Sequence, residues 1–575
     1  MKKLLVYLKD YKKESILAPL FKLLEASFEL LVPLVVAAVV DHGIAGADKG
    51  YVIRMCGVMI VLGITGLGFS VTAQYFAAKA AVGFSTGLRH ALFGHIQSLS
   101  FSELDEAGTS TLITRMTSDV NQVQSGVNMV LRLFLRSPCI VFGAMIMAFT
   151  IDIKAALIFV VTIPLLSIVV FGIMAVTIPM YRKVQAGLDR VLGLTRENLT
   201  GARVIRAFNK EKDEIRQFEE SNTSLTNLQL VVGRISALTN PVTYIIINVA
   251  TIVLIWTGAI RVDSGAITQG ELVALINYMS QILVELIKLA NLIITITKAL
   301  ACANRIESVL EIEPGIENNA AGLKEGPDEK IILDFHHVSL TYKGAGEESL
   351  TDINFRVKAG ETIGIIGGTG SGKSSLVNLI PRFYDVTKGK ILFHGEDLRD
   401  YNVDALRQKI GMVMQKAVLF QGTIRENLLW GKENATEEEL AEALRVSQAK
   451  EFVDKKEEGM ETLIEQGGKN LSGGQKQRLT IARALVRKPE VLVLDDSASA
   501  LDFATDAKLR KAIREMSQKL TVFIVSQRAA SIQFADKILV LDDGKIVGQG
   551  THAQLLANCP VYQEIYYSQF PKEAK

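Results

Sequence analysis

The stretch from Lys488 to Asp502, KPEVLVLDDSASALD, decides how the second half of this chain folds. It contains four consecutive apolar residues, 491–494, a run typical of a strand that is buried on both faces of a sheet. Two carboxylates, Asp495 and Asp496, follow this run directly. The sequence therefore predicts a buried strand that ends in acid.

A glycine-rich loop upstream of this strand fits the phosphate-loop pattern GxxxxGK[ST] in full. A strand-like segment, GETIGII, precedes the loop, and a helix start, SSLVNLI, ends it. The loop residues expected to bind a nucleotide are Gly367, Gly368, Thr369, Gly370, Ser371, Gly372, Lys373, Ser374 and Ser375. Backbone N–H groups of such a loop close around phosphates, the lysine adds charge, and the hydroxyl of Ser374 can bind Mg²⁺. With Asp495 as the acidic partner of the metal, the two segments predict a site for ATP and Mg²⁺.

The composition indicates a chain that is half membrane and half soluble. Its 575 residues predict two or more domains, and 49% hydrophobic residues are too many for an ordinary soluble protein and too few for membrane throughout. The 63 basic and 61 acidic residues balance to +2, so no global charge points to nucleic acid. The four scattered cysteines, without a CxxC pair, favour neither a metal site nor a disulfide framework.

Six apolar segments, each long enough or nearly long enough to cross a bilayer, precede residue 300. We place them near 16–41, 55–79, 131–151, 155–179, 241–261 and 272–297. The links after the second and fourth segments are long, helical in pattern and basic, whereas the other links are short. The positive-inside rule therefore puts the long links and both termini in the cytoplasm of a multi-pass cell-membrane protein. The basic, amphipathic N-terminus predicts a surface helix before the first span.

A polar stretch rich in glycine, proline and asparagine marks a domain boundary. We expect a transmembrane domain over 1–310, a linker over 311–330 and a nucleotide-binding domain over 331–575. The predicted fold class is an all-α six-helix transmembrane domain joined to a cytosolic α/β domain with a partly parallel sheet.

Several ionisable residues lie inside the predicted spans, among them Glu29, Glu285 and Lys288. Charges are costly in lipid, so these side chains should face protein or a water-filled interior. Glu285 and Lys288 are three residues apart on one helix face and can pair. Two interpretations stay open, the wall of a substrate cavity and a brace between helices.

A second anion-binding element follows the phosphate loop, because a Ser-Gly-Gly turn that opens a helix leaves free N–H groups. Its residues are Leu471, Ser472, Gly473, Gly474 and Gln475. Two phosphate-binding elements with only one lysine loop suggest sites that are shared between subunits. With this LSGGQ signature, the chain resembles the half-transporters of the ATP-binding-cassette (ABC) exporter family over nearly all of its length.

The resemblance implies roles for further residues. Tyr342 in VSLTYKG resembles the aromatic residue that stacks on adenine, and Gln415 in GMVMQKAVLF resembles the glutamine that senses Mg²⁺. Without that context, Tyr342 reads as an ordinary strand aromatic and Gln415 as a solvated loop residue. The segment ending at Asp502 resembles the loop that crosses the dimer interface. Segments 101–120 and 197–214 resemble the two cytoplasmic loops whose short helices dock on the ATPase domains.

Two positions depart from the family pattern. The family has glutamate, the general base, where this chain has Asp496, and histidine, which contacts the γ-phosphate, where it has Gln527. Aspartate draws the carboxylate back by ~1 Å, which can cost ~10²-fold in rate. Glutamine can donate a hydrogen bond but carries no charge and shuttles no proton. The sequence therefore favours a heterodimer in which this chain supplies a degenerate ATP site, over a homodimer with two slow sites.

The expected function is ATP-driven export of amphipathic drugs or lipids across the bilayer. The partner would be a second half-transporter that has the consensus catalytic glutamate and uses this chain's LSGGQ. A regulatory membrane subunit that senses ATP is an alternative. The six spans exclude a soluble ABC ATPase that works on DNA or ribosomes, and no nucleic-acid partner is expected.

Overall fold

The structure of the chain is a computed structural model, which describes residues 3–316, 330–497, 499–516 and 520–570. The chain divides into two compact units, Met1–His95 with Ser110–Glu311, and Ile96–Thr109 with Ile312–Lys575. Most of the linker expected over 311–330 lies outside the described residues.

Residues 3–310 are almost entirely helical. A 3₁₀-helix, Leu4–Tyr11, leads directly into the first α-helix, and π-helical turns follow at Val39–Ile44 and Arg115–Asp119. The α-helices are α1 (Lys12–Ala38), α2 (Lys49–Ser98), α3 (Phe101–Ala107), α4 (Thr109–Thr114), α5 (Val120–Leu133), α6 (Arg136–Ile151), α7 (Ile153–Thr200), α8 (Ala202–Ala207), α9 (Glu211–Ala237), α10 (Thr239–Asp263) and α11 (Gln269–Leu310).

Six helical segments are long and apolar enough to cross a membrane, which confirms the predicted six-span fold class. They are Leu4–Ile44, Lys49–Ser98, Thr109–Ile151, Ile153–Thr200, Glu211–Asp263 and Gln269–Leu310. At 1.5 Å per residue, the 50 residues of α2 extend about 75 Å, more than twice the ~30 Å of a hydrocarbon core. The long polar links are thus helical continuations of the spans rather than separate loops.

The short turns between spans are fixed by polar caps. Asp152 accepts a hydrogen bond from the Ala155 N–H at the start of α7 and pairs with Arg261 at 2.6 Å. Thr268 caps α11, and its hydroxyl also donates to Asp41 at 2.5 Å. These bonds satisfy helix-end N–H groups that would otherwise lack partners.

Arg136, at the first position of α6, holds three spans together. Its guanidinium donates to Glu285 of α11 and to Glu29 of α1, both at 2.7 Å. Glu285 also accepts from Ser137 at 2.7 Å and from Lys288 at 2.8 Å, and only 3% of its side chain is exposed. Glu285 is therefore a brace between helices, whereas Lys288 is 42% exposed. Around this network the helices pack through small residues, including Ala26, Ala144 and Ala274, as expected for close-packed spans.

The second unit is an α/β domain with twelve strands in the part that the structure describes, which confirms the other half of the predicted fold class. The strands are β1 (Ile331–Leu340), β2 (Leu350–Lys358), β3 (Thr362–Gly367), β4 (Lys388–Phe393), β5 (Glu396–Asp397), β6 (Ile410–Val413), β7 (Gly422–Thr423), β8 (Leu463–Ile464), β9 (Val491–Asp495), β10 (Thr521–Val525), β11 (Lys537–Asp542) and β12 (Lys545–Gly550). The helices are α12 (Lys373–Asn378), α13 (Val403–Lys409), α14 (Ile424–Leu429), α15 (Glu437–Val446), α16 (Lys450–Asp454), α17 (Gly473–Val486), α18 (Phe503–Met516), α19 (Ala529–Ile532), α20 (His552–Asn558) and α21 (Pro560–Gln569). Short 3₁₀ turns lie at Leu398–Asp400, Gly459–Glu461 and Gln466–Gly468.

The central sheet has the strand order β12-β11-β3-β10-β9-β6 and is parallel except for the edge strand β12. An antiparallel sheet, β2-β1-β4-β5, and the pair β7-β8 complete the domain. Every residue of β9 is buried, because hydrophobic clusters cover both faces of the central sheet. The parallel register brings the carboxyl ends of β3, β9 and β10 to one edge, where ligands of α/β proteins bind.

Candidate nucleotide-binding site

The glycine-rich loop joins the end of β3 to the start of α12. Gly370 and Gly372 adopt φ of 84° and 90°, left-handed conformations that favour glycine. The Lys373 ammonium donates to the carbonyls of Gly367 at 3.0 Å and Gly368 at 2.5 Å, and lies 3.3 Å from the Ser371 hydroxyl. Lys373 is 9% exposed. Burial lowers its pKa, and nearby Asp496 and Asp495 oppose that shift. A buried ammonium held only by neutral oxygens of its own loop is suited to an incoming anion.

Two oxygen ligands for a metal stand next to the lysine. The Ser374 hydroxyl donates to Asp495 at 3.1 Å, and only 4% of Asp495 is exposed. Burial raises the pKa of Asp495, opposed by the Ser374 hydrogen bond. A hydroxyl and a carboxylate are the hard oxygen donors that Mg²⁺ prefers beside phosphate oxygens. The residues present therefore fit Mg²⁺-ATP.

The two positions that depart from the family pattern lie in the same cavity, which has a volume of about 310 Å³. Asp496 adopts a left-handed φ of 45°, and burial raises its pKa. The Gln415 amide is 3.5 Å from the Asp496 carboxylate, at the outer limit of a hydrogen bond. Gln527 lines the cavity after β10, while its backbone carbonyl accepts from Gln569 at 2.7 Å.

Ten of the twenty site residues expected from the sequence line this cavity. Of the predicted set, those that line the cavity are Thr369, Gly370, Gly372, Lys373, Ser374, Ser375, Gln415, Asp495, Asp496 and Gln527. Six other residues of the lining were not predicted from the sequence: Glu348, Ser349, Val525, Ser526, Asp543 and Gly544. Asp543-Gly544 is a recognisable hairpin turn between β11 and β12. Its approach to the phosphate loop depends on β11 pairing with β3, which no local signal predicts.

Tyr342 lies beside the phosphate loop. Its hydroxyl donates to the Ser375 hydroxyl at 2.9 Å, and burial raises its pKa. Its ring packs edge-to-face on Tyr384, with 5.0 Å between ring centroids. The Tyr384 hydroxyl in turn donates to Asp105 of α3 at 2.6 Å. Tyr384 was not anticipated, because nothing in its local sequence distinguishes it from other loop tyrosines.

The signature segment is built as a helix N-terminus. Ser472 caps α17 in a reciprocal capping box with Gln475, while Leu471 is buried beneath the turn. Ser472 and Gly473 are exposed, and none of the described residues lining the phosphate cavity comes from 471–475. Asp502 also lies outside that lining, where it accepts from the backbone and hydroxyl of Thr505, both at 2.8 Å. Within one chain, the two anion-binding elements thus do not share a cavity.

Comparisons with known proteins agree with this architecture. Residues 15–286 match the ABC transporter transmembrane region, and residues 350–499 match the ABC transporter family. An "uncharacterized ABC transporter ATP-binding protein" of Bacillus subtilis is 38% identical over 573 residues, 100% of this chain and 99% of that protein. An "ATP-dependent lipid A-core flippase" of Desulfotalea psychrophila is 34% identical and covers 83% of each chain. A bacterial Atm1-family ABC exporter solved with ATP bound has a TM-score of 0.80 at 22% identity, covering 98% of this chain and 99% of that one, which establishes the shared fold.

Proposed function

Because this chain belongs to the ABC transporter family, as an exporter half-transporter whose six-span membrane domain is fused to a cytosolic ATP-hydrolysing domain, we propose that it forms one half of an asymmetric heterodimer. In that heterodimer its own phosphate loop binds ATP at a degenerate, slowly hydrolysing site. Its signature segment completes the competent site of a partner that has the consensus glutamate.

One observation carries this proposal: Asp496 and Gln527, the two departures from the family pattern, line one cavity together with Lys373. A shortened base and an uncharged amide weaken the same step, the activation of water near the γ-phosphate. The elements for binding, in contrast, are complete, since Lys373, Ser374 and Asp495 have the chemistry that Mg²⁺-ATP requires.

The exposed signature turn supports the sharing of sites. Gly473 is exposed at the N-terminus of α17, whereas the Ser472 N–H donates to the Gln475 side chain at 3.0 Å. None of residues 471–475 lines the phosphate cavity of the described chain. A phosphate-binding helix end that faces no phosphate loop of its own chain is suited to complete the ATP site of a second subunit.

For the substrate we propose amphipathic drugs or lipids. The lipid A-core flippase named above acts on an amphipathic lipid, and the polar groups inside this chain's spans suit a substrate with a polar part. A homodimer with two slow sites, or a membrane subunit that senses ATP, remains the alternative to an asymmetric pump.

The proposal is tested by Mg-ATPase activity in lipid nanodiscs, for the chain alone and with its candidate partner half. We expect near-zero activity alone and fast turnover in the pair. Rapid ATP turnover by the chain alone would contradict the heterodimer and support a homodimer. ATP binding that persists while neither preparation hydrolyses it in response to substrate would favour the sensor.

A pair of substitutions tests the degenerate site directly. Asp496→Glu with Gln527→His restores the family pattern, so this site should gain hydrolysis in the assembled pair. Adding Lys373→Met to the same chain is the control, because it removes the phosphate-binding charge and should abolish the gain. No gain in the double variant contradicts the assignment of slow hydrolysis to these two positions.

A further inference from the structure

A polar cavity lies among the membrane-spanning helices, between α1 and α11, with a volume of about 380 Å³. Three charged residues belong to its lining: Glu29 and Lys288 are 39% and 42% exposed, whereas Glu285 is 3% exposed. The rest of the lining is part amide or hydroxyl and part aliphatic: Val32, Pro33, Val36, Asn277, Ser280, Gln281 and Val284. A cavity of this kind presents one accessible anion, one accessible cation and an apolar wall.

The charges around the cavity are balanced. Besides Glu29, Glu285 and Lys288, the surrounding network contains Arg136, which pairs with both glutamates, and Glu25 beside Lys22. Three acids face three bases, so the cluster has no net charge. A purely cationic or purely anionic ligand would therefore add a net charge of its own to a neutral cluster in a low-dielectric surrounding, whereas a zwitterion would not.

Several hydrogen-bonding positions around the cavity are unused. Glu29 accepts from Arg136 through one oxygen only, and Lys288 donates to Glu285, which leaves its ammonium further donor capacity. The side-chain oxygen of Gln281 is buried and finds no donor among the residues that the structure describes. Buried acceptors in native proteins are normally satisfied, so the unpaired oxygen of this lining residue marks the cavity wall as short of donors.

We propose that this cavity binds the head group of a zwitterionic amphiphile, a lipid-like molecule with an ammonium group and a phosphate. The ammonium contacts the exposed carboxylate of Glu29, and the phosphate contacts the exposed ammonium of Lys288. The aliphatic side chains of Val32, Val36 and Val284 contact the adjoining apolar part. This inference rests on the proposed export function and names the substrate class that enters it.

The brace explains how such a site is maintained. Arg136 and Ser137 keep Glu285 fully paired, so Lys288 is held at the cavity by Glu285 while most of its charge stays available. Ligand binding then adds partners to an existing network and buries no new unpaired charge.

The test compares three photoreactive probes with the same acyl chain, on the assembled complex in nanodiscs. The probes are a lysophosphatidylethanolamine, an anionic lysophosphatidylglycerol and a cationic alkylamine, and labelling of α1 and α11 is mapped by mass spectrometry. We expect the zwitterionic probe to label most strongly. Glu29→Gln should lower the ratio of zwitterionic to anionic labelling by about tenfold. Lys288→Met should lower the ratio of zwitterionic to cationic labelling by about tenfold.

Lys298→Met is the matched control, since it removes the same charge from the same helix outside the cavity and should leave the labelling pattern unchanged. Equal labelling by all three probes overturns the inference. So does a uniform loss for all probes in both variants, because that is the result of a merely structural role. The ATPase assay above separates this failure from failure of the proposed function: an active pump without probe selectivity contradicts only the zwitterion site.

Discussion

Asp496 and Asp502 are six residues apart, yet folding changes their acidities in opposite directions. Burial raises the pKa of Asp496 at the end of β9. Hydrogen bonds from the Thr505 backbone and hydroxyl lower the pKa of Asp502 at the start of α18. Because the pKa of Asp496 is raised, ionised Asp496 destabilises the fold above that pKa. Because the pKa of Asp502 is lowered, ionised Asp502 stabilises the fold until the pH falls through that pKa.

This contrast predicts opposite effects of two isosteric substitutions. In the nucleotide-free protein at pH 7.5, Asp496→Asn should raise the midpoint of thermal unfolding by a few degrees, and Asp502→Asn should lower it slightly. The loss at Asp502 is small because asparagine also caps helices. The Asp496→Asn difference should shrink towards pH 4, where the raised pKa lets the folded carboxyl group take up a proton. The Asp502→Asn difference should largely persist at pH 4, because the lowered pKa keeps the folded carboxylate ionised there. Scanning fluorimetry at the two pH values measures this, and a destabilising Asp496→Asn would contradict it.

At the scale of elements, α3 contacts the rest of its own unit, which also contains the nucleotide site, through three different kinds of interaction. Phe101 packs on Phe383 with 4.5 Å between ring centroids, and Asp105 accepts from the Tyr384 hydroxyl. Glu106 pairs with Lys343, but the two side chains are 60% and 59% exposed. Exposed ion pairs contribute little, whereas a short bond between a carboxylate and a half-buried tyrosine contributes more.

We therefore expect Asp105→Ala to reduce substrate-stimulated ATPase activity several-fold, because the link from α3 through Tyr384 to Tyr342 is lost. Glu106→Ala, on the same helix, truncates a longer side chain and should change the activity by less than about twofold. The measurement is ATPase stimulation by substrate in nanodiscs, with ATP binding followed in parallel. Equal effects of the two substitutions would show that the Tyr384 contact carries no coupling.

The same elements show what local sequence could and could not predict. The spans and β9 were predictable because each carries its signal within about twenty residues, as an apolar run of the right length. The Arg136 network was not predictable, since its acids lie 107 and 149 residues away in the chain. The spacing of Glu285 and Lys288 predicted that they pair, but it did not predict the bond between Glu285 and Arg136. Residues such as Asp543 reach the site only through sheet order.

At the scale of the whole molecule, the two anion-binding elements of this chain belong to different catalytic sites in the proposed heterodimer. Lys373 serves the degenerate site, and Ser472 serves the partner's competent site. In a homodimer, a substitution at Lys373 or at Ser472 would be present in both subunits and would damage both sites equally. Comparing the loss of ATPase rate on substitution of Lys373 with the loss on substitution of Ser472 therefore distinguishes a heterodimer from a homodimer.

We predict that Ser472→Ala in this chain alone lowers the ATPase rate of the pair by roughly 10²-fold, because a phosphate-binding hydroxyl and helix cap are lost from the competent site. Lys373→Met in this chain should lower the rate by less than about threefold, since it affects a site that contributes little turnover. The reciprocal substitutions in the partner should show the reverse order. Steady-state ATPase rates of the four singly substituted pairs decide the question, with ATP binding to the intact site measured as a check on folding. If Lys373→Met costs as much as Ser472→Ala, turnover occurs at both sites, and Asp496 with Gln527 supports catalysis as well as the family's usual pair.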